Sequence, residues 1–270
     1  MAGQEINRIA LRMDDVGAAS KQHEVYGRTR FQLGPFPIPF PGNFLLLKYI
    51  KPFRKWGVYP ELSRYEWEEI FEYCEKEELK ITLGITAGWV ESSGEVTPFS
   101  EKYLDQAQVI KKAVKRGLAE VANHGYTHCV LERKAFRPRL LSGNREWHRE
   151  FWDWIPLETQ EAHIAKSQQI LENFFEEKIV TFIPPGNIFT QETLKIAKRY
   201  GLRYVSCQGI GNAGSHLLPI PERQVVAFHD KELVEFGMRW LQNVREERVG
   251  KMKSSLIREI GAELESVVSS

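Results

Sequence analysis

The chain has 270 residues, 42% of them hydrophobic, with 37 basic and 36 acidic residues and a net charge of +1. Length and apolar content suit one domain, residues 1–270, with a core the size of an α/β barrel. The charge balance gives no global argument for binding nucleic acid or membrane, and the longest apolar stretch, Phe44 to Ile50, is interrupted at Lys48 and too short to span a bilayer. Three cysteines, Cys74, Cys129 and Cys207, lack paired spacing and read as free thiols of a reducing compartment. No stretch near the start reads as a signal peptide, so a cytoplasmic location is expected.

Residues 7–15 read as a first strand. Residues 16–42 are a long excursion, with four prolines and three phenylalanines between Phe31 and Gly42. Proline blocks regular structure, while the phenylalanines argue against simple disorder. Residues 43–56 read as an amphipathic helix with Leu45, Leu46, Tyr49 and Phe53 on one side, kinked or broken at Pro52. Ser63 and Glu66 form a capping-box pattern ahead of a helix whose apolar face is Trp67, Ile70, Phe71 and Cys74. A strand over Lys80–Ile85, a loop carrying Trp89, and a helix over Glu101–Arg116 closed by Gly117 follow. Leu118–Ala122 is the next strand. A second excursion, 131–156, mixes basic and aromatic residues, Arg149, Trp152 and Trp154 among them. Beyond it come a helix over 158–175, a strand at Ile179–Ile183, a helix over Thr190–Tyr200 and a strand at Leu202–Cys207. A glycine-rich loop at Gly209–Pro221, a strand at Arg223–Phe228 and closing helices over Lys231–Arg248 and Lys253–Val267 complete the chain. Alternating strands and helices indicate an α/β fold with a mainly parallel sheet.

Four apolar runs end in polar or turn-forming clusters. Such strand ends are where parallel α/β folds build their sites. The first run ends in Asp14-Asp15. Adjacent carboxylates raise one another's pKa, and a cation is a common remedy, although a helix N-cap is another use of aspartate. The second run ends at Asn123, before His124 and His128. On a helical turn that spacing puts both imidazoles on one face, about 5–6 Å apart at Cβ. On an extended strand they would be roughly 13 Å apart. The pair therefore binds one metal only if the chain coils tightly after Asn123, which Gly125 permits. Read singly, the pair is equally two ordinary histidines. The third run ends in Pro184-Pro185-Gly186-Asn187, alone an unremarkable turn. The fourth ends in His229-Asp230, which alone could simply start a helix.

Taken in order, Asp14-Asp15, His124-x-x-x-His128, Pro184-Pro185-Gly186 and Phe228-His229-Asp230 resemble the polysaccharide deacetylase superfamily. These are metal-dependent carbohydrate de-N-acylases with a NodB-type, carbohydrate esterase family 4-like domain. The resemblance spans roughly residues 7–245. It implies a distorted (β/α) barrel of about seven parallel strands, with 16–42 and 131–156 as loop insertions. It also implies hydrolysis of an N-acetyl or N-formyl group on an amino sugar. By motif position, Asp15, His124 and His128 would hold a divalent metal. Two nitrogens and one oxygen suit Zn²⁺ best, with Fe²⁺, Co²⁺ or Ni²⁺ also compatible. Asp14 would be the general base and His229 the general acid, and the backbone N–H of Gly186 would help hold the oxyanion.

The pattern is not complete. The arginine expected before the two prolines is Ile183, and Arg12, two residues before Asp14, is a substitute if the strand stays regular. The late Asp-x-x-x-Trp motif is missing, which leaves Trp89, Trp152 or Trp154 as replacements for its tryptophan. Pro185 and Asn187 join Arg12 and these tryptophans as candidate substrate contacts. Arginines in the second excursion suit a phosphate-linked sugar. The missing arginine also fits a catalytically weak or inactive glycan-binding relative. Two histidines and a carboxylate would likewise serve a non-haem iron enzyme.

Overall fold

The computed structural model describes residues 8–44, 46–131, 145–209 and 216–268. Strand β1, Arg8–Val16, lies near the middle of the sheet and is buried from Ile9 onward. Its near-continuous apolar sequence fits a parallel strand covered on both faces. Around it run β2 (Ile81–Ile85), β3 (Ala119–Asn123), β4 (Thr181–Phe182), β5 (Tyr204–Val205), β6 (Leu218–Pro219) and β7 (Val225–His229). The order across the sheet is β6-β5-β4-β3-β2-β1-β7, with every neighbouring pair whose register is given parallel. A short strand β8, Lys253–Ser254, pairs with the start of β1. Seven parallel strands curl into a half-barrel with helices around it, the distorted (β/α) barrel expected from the motifs.

Helices α1 (Arg64–Lys76), α2 (Leu104–Lys115), α3 (Leu157–Phe175) and α4 (Gln191–Arg199) connect the strands. Helices α5 (Asp230–Phe236), α6 (Met238–Val244) and α7 (Ile257–Val268) follow β7. The Ser63 hydroxyl accepts the Glu66 N–H and the Glu66 carboxylate accepts the Ser63 N–H, so α1 starts where the capping box places it. Trp67, Ile70, Phe71 and Cys74 are buried, as the helical period predicted. All three cysteines are buried.

The structure corrects several boundaries. The helix expected over 101–116 breaks at Tyr103, between a short turn of helix at Phe99–Lys102 and α2. The helix expected over 231–248 breaks at Gly237, where φ is +62°. Lys253–Ser254 is strand, and the final helix starts at Ile257. The largest change is at 43–56. Only Leu47–Tyr49 forms a 3-10 turn, and Arg54–Trp56 pairs antiparallel with Tyr26–Gly27. Pro52 lacks an N–H and disfavours helix at the residue before it. Phe53, instead of lining a helix, packs its ring against Phe40 at 5.2 Å and Phe31 at 6.4 Å. Leu45 and residues 132–144 of the second excursion lie outside the described residues.

The first excursion is therefore ordered. Its hairpin pairs Arg30–Leu33 with Phe36–Pro39, and its base is closed by two glycines. A Cβ on Gly27 would sit 2.0 Å from the Gly42 carbonyl oxygen, and one on Gly42 would sit 2.0 Å from that of Arg28. Gly27→Ala must force these backbones apart, at a cost of about 1–3 kcal/mol typical of overpacking. The expected result is faster protease cleavage between residues 28 and 55, with the melting of the barrel itself little changed.

Candidate metal centre

The site is built at the carboxyl ends of the parallel strands. The β1–β2 register shifts between Met13 and Val16, and Asp15 sits there with φ at +69°. That bulge lets consecutive carboxylates serve one site, since regular strand would point them to opposite faces. Asp14 is the register partner of His229 on β7.

His124 directly follows β3, and the route to His128 is not the helical turn that their spacing suggested. Gly125 has φ of +81° and His128 has φ of +56°. Side chains take the backbone donors of this loop. Asn123 Oδ1 accepts the Gly125 N–H at 2.9 Å, and Glu150 accepts those of Thr127 and His128 at 3.3 and 3.0 Å. Glu150 also pairs with His163. A Cβ on Gly125 would lie 1.8 Å from Glu150 Oε1, so glycine is required for this approach. The two imidazoles end 5.0 Å apart between ring centres.

His124 Nδ1 lies 2.6 Å from the Ile183 carbonyl oxygen, and His128 Nδ1 lies 3.0 Å from Ser20 Oγ. These contacts turn both Nε2 atoms toward Asp15 Oδ1, at 3.3 and 3.1 Å. Outer partners of this kind fix ring orientation and tautomer in metal-binding histidines. Tyr59 donates to the other oxygen, Asp15 Oδ2, at 3.3 Å. Burial and the nearby carboxylates Asp230 and Asp15 hold the Tyr59 hydroxyl well above its usual range, so it remains a donor. Burial opposes ionisation of Asp15, but the imidazoles of His128 and His124 outweigh it and hold the carboxyl well below its usual range. Burial also lowers His128, whereas for His124 the contacts with Asp15 and Asp14 prevail and raise it.

One donor atom each from Asp15, His124 and His128 lie within 4.8 Å of one another, and all three residues are buried. His128 Nε2 is buried without a hydrogen bond. An orphaned imidazole nitrogen facing a buried carboxylate is costly unless a cation joins them. The donor set therefore fits a divalent ion.

Arg12 reaches Asp14. Its guanidinium donates to Asp14 Oδ2 at 2.8 Å and to Ser206 Oγ at 3.0 Å. Both side chains are nearly buried, and Asp14 Oδ1 has no hydrogen-bond partner. Arg12, Asp14, Asp15, His124, Gly186, Asn187 and His229 all line one cavity of about 160 Å³. Asn187 Oδ1 also accepts the Gln208 N–H at 2.9 Å. Pro185 is buried beside Gly125 and supports the turn.

Three candidates fall elsewhere. Trp89 is only 4% exposed and packs edge-on against Tyr103 at 5.0 Å, so it is a core residue. Trp152 and Trp154 do not line the cavity. The aromatic residues that line it are instead Tyr26, Trp56 and Phe228, with Trp56 edge-on to His229 at 5.0 Å. Arg149 also lines it, crossing so close to Gly186 that a Cβ there would lie 1.6 Å from Nε. Ser20, Tyr59 and Glu150 carry no motif spacing, and Trp56 falls in the segment 43–56 expected to be helix.

Arg149 is held in turn by Glu24, 3.3 Å away. Burial opposes ionisation of Glu24, but Arg149 and His148 outweigh it and bring the carboxyl down to about 2. A lowered native pKa contributes stability that is complete above the unfolded value, 4.5, and is lost as pH falls toward about 2. The shift corresponds to about 3 kcal/mol. Glu24→Gln is expected to lower stability near neutral pH by about that amount and to flatten the acid limb of the stability curve. Urea melts across this pH range read both effects.

No curated protein sequence matches the chain. Among solved structures it is similar to a CE4 family pseudoenzyme from Bacillus anthracis, with 14% identity over 96% of this chain and 66% of that one, at a TM-score of 0.49. A polysaccharide deacetylase, described as putative, from Mycobacterium smegmatis shares 11% identity over 75% of this chain and 78% of its own, with a TM-score of 0.49. The Xyl-CE4 domain of a multidomain xylanase from the hindgut metagenome of Trinervitermes trinervoides shares 11% over 95% and 90%, with a TM-score of 0.47. The polysaccharide deacetylase family model matches residues 61–205, more than half of the chain, and on that match the protein belongs to the polysaccharide deacetylase family.

Proposed function

We propose that the protein is a metal-dependent hydrolase that removes an N-acyl group, acetyl or formyl, from an amino sugar. The observation that carries this reading is the convergence of Asp15, His124 and His128 beside an Asp14 held by Arg12. A divalent ion held by those three residues, Zn²⁺ first and Fe²⁺, Co²⁺ or Ni²⁺ next, would polarise the amide carbonyl and lower the pKa of the attacking water.

The rest of the chemistry belongs to side chains. Hydrolysis adds water to the acyl carbon, breaks the C–N bond and delivers a proton to the departing amine. Asp14 Oδ1, lacking a hydrogen-bond partner, is the oxygen that accepts the proton of the attacking water. Arg12 and Ser206 keep the other end of that assembly in place. His229 stands across the cavity on the neighbouring strand, partly exposed, and protonates the leaving nitrogen. Gly186 lines the same cavity, and its N–H would help hold the developing oxyanion. Tyr26 and Trp56 supply apolar surface for a sugar ring. Arg12 occupies the role that Ile183 cannot, which weighs against a binding-only protein.

Release of acetate or formate from N-acylated amino sugars, measured with metal content on the same preparation, tests the proposal. Asp14→Asn should keep the metal and lose about 10²–10⁴-fold in turnover. Asp15→Asn should lose the metal itself, because an amide is a poorer ligand than a carboxylate. Arg12→Leu should keep the metal and lower turnover, with partial rescue by Arg12→Lys. Turnover unchanged in Asp14→Asn, or oxygen consumption in place of acyl release, overturns the reading.

A further inference from the structure

The first excursion, which strand pairing with Arg54–Trp56 extends to about residue 60, carries a surface that the proposed hydrolytic site does not use. Between residues 26 and 60 lie six of the chain's 37 basic residues and none of its 36 acidic ones. The same stretch holds eight of the fourteen large apolar side chains that are exposed among the described residues. Single exposed apolar residues are ordinary, whereas such clustering marks an interaction surface.

The hairpin explains how it arises. Leu33 pairs with Phe36 and Phe31 with Ile38, and cross-strand partners share one face of the ribbon. That face is wholly apolar, while Arg30, Gln32, Pro37 and Pro39 occupy the other. At its base, Phe31 packs on Phe40 at 4.6 Å and so anchors the ribbon. At its tip, Leu33 and Phe36 are 68% and 72% exposed, beside a Gly34-Pro35 turn. Phe44, Leu46 and Ile50, also exposed, lie in the segment that leads back to Phe53. Arg28, Arg30, Lys51 and Lys55 are exposed within the same excursion.

An exposed apolar hairpin face in a stretch that carries exposed basic residues and no acidic one complements an anionic lipid surface, where apolar groups enter the acyl boundary and basic groups meet phosphates. We propose that this excursion docks the protein on the surface of an anionic bilayer, inserting the Leu33/Phe36 tip. Tyr26 and Trp56, at the base of the same excursion, line the cavity, so docking sets its mouth beside the headgroup layer. No helix among the described residues is long and apolar enough to cross a membrane, so the contact is peripheral.

Co-sedimentation of the full chain with vesicles of phosphatidylcholine and phosphatidylglycerol in equal parts, against phosphatidylcholine alone, tests this. The chain should pellet with the anionic vesicles and be released by salt. Leu33→Ser/Phe36→Ser should weaken binding at least about tenfold with an unchanged melting curve, since both side chains are exposed. Arg28→Ser/Lys51→Ser/Lys55→Ser should weaken it too and flatten its salt dependence. Binding that ignores lipid charge, or that survives the tip variant, overturns the proposal. So does a concentration-dependent dimer abolished by the tip variant without lipid affinity, which would make a second copy the occupant. Sedimentation needs no turnover, so the membrane result stands or falls apart from the hydrolase reading.

Discussion

Two neighbouring carboxylates buried at the end of the central strand are the constraint around which this molecule is arranged. Buried carboxylates without compensation are strongly destabilising. Asp14 is compensated by the guanidinium of Arg12, which in turn reaches Ser206 beyond β5. Asp15 is faced by His124 and His128 and accepts from the Tyr59 hydroxyl. Contacts from β1, the loop after β3 and the first excursion therefore meet at two adjacent residues. The strain needed to bring them there is local. Among the described residues, three of the five non-glycine residues with positive φ, Asp15, His128 and Asn187, lie at this site. Backbone of that kind persists where surrounding contacts over-determine it.

Those surrounding contacts form a second layer with its own charge logic. Glu150 fixes the backbone of Thr127 and His128 while pairing with His163. Glu24 fixes Arg149, which passes over Gly186. The Lys21 ammonium lies buried between Glu61, at 2.8 Å, and Asp230, and so ties the turn after β1 to the start of α5, next to His229. Burial disfavours the charged ammonium, but the two carboxylates outweigh it and raise the Lys21 pKa. Glycines at 125 and 186 are places where a carboxylate and a guanidinium come too close for any Cβ. The geometry of the candidate ligands Asp15, His124 and His128 is thus set by packed ion pairs as much as by the strands that carry them.

The excursion between β1 and α1 adds a second layer of meaning to the same site. Its base strands place Tyr26 and Trp56 at the cavity, and its hairpin presents the exposed apolar face. A near-neutral whole-chain charge conceals this segment, because its cations are balanced by acids elsewhere. Local composition, read against position in the fold, is what separates a functional surface from ordinary loop.

The sequence by itself determined the parts that depend on local patterns. Alternating apolar runs and amphipathic helices set the α/β order, Ser63 and Glu66 set the start of α1, and ordered polar clusters at strand ends pointed to Asp14, Asp15, His124, His128 and His229. Those signals survive in one dimension because they are written in neighbours a few residues apart. Only the tertiary structure decided the rest. The histidines meet through a side-chain-stapled loop, not a helical turn, because Glu150, 22 residues away, takes the backbone donors. Trp89 is core and Trp56 is cavity wall because strand pairing, not composition, chooses which aromatic faces the site. Arg12 reaches Asp14 because β1 stays regular up to Asp14 and puts both side chains on one face, a fact that belongs to the register of the sheet.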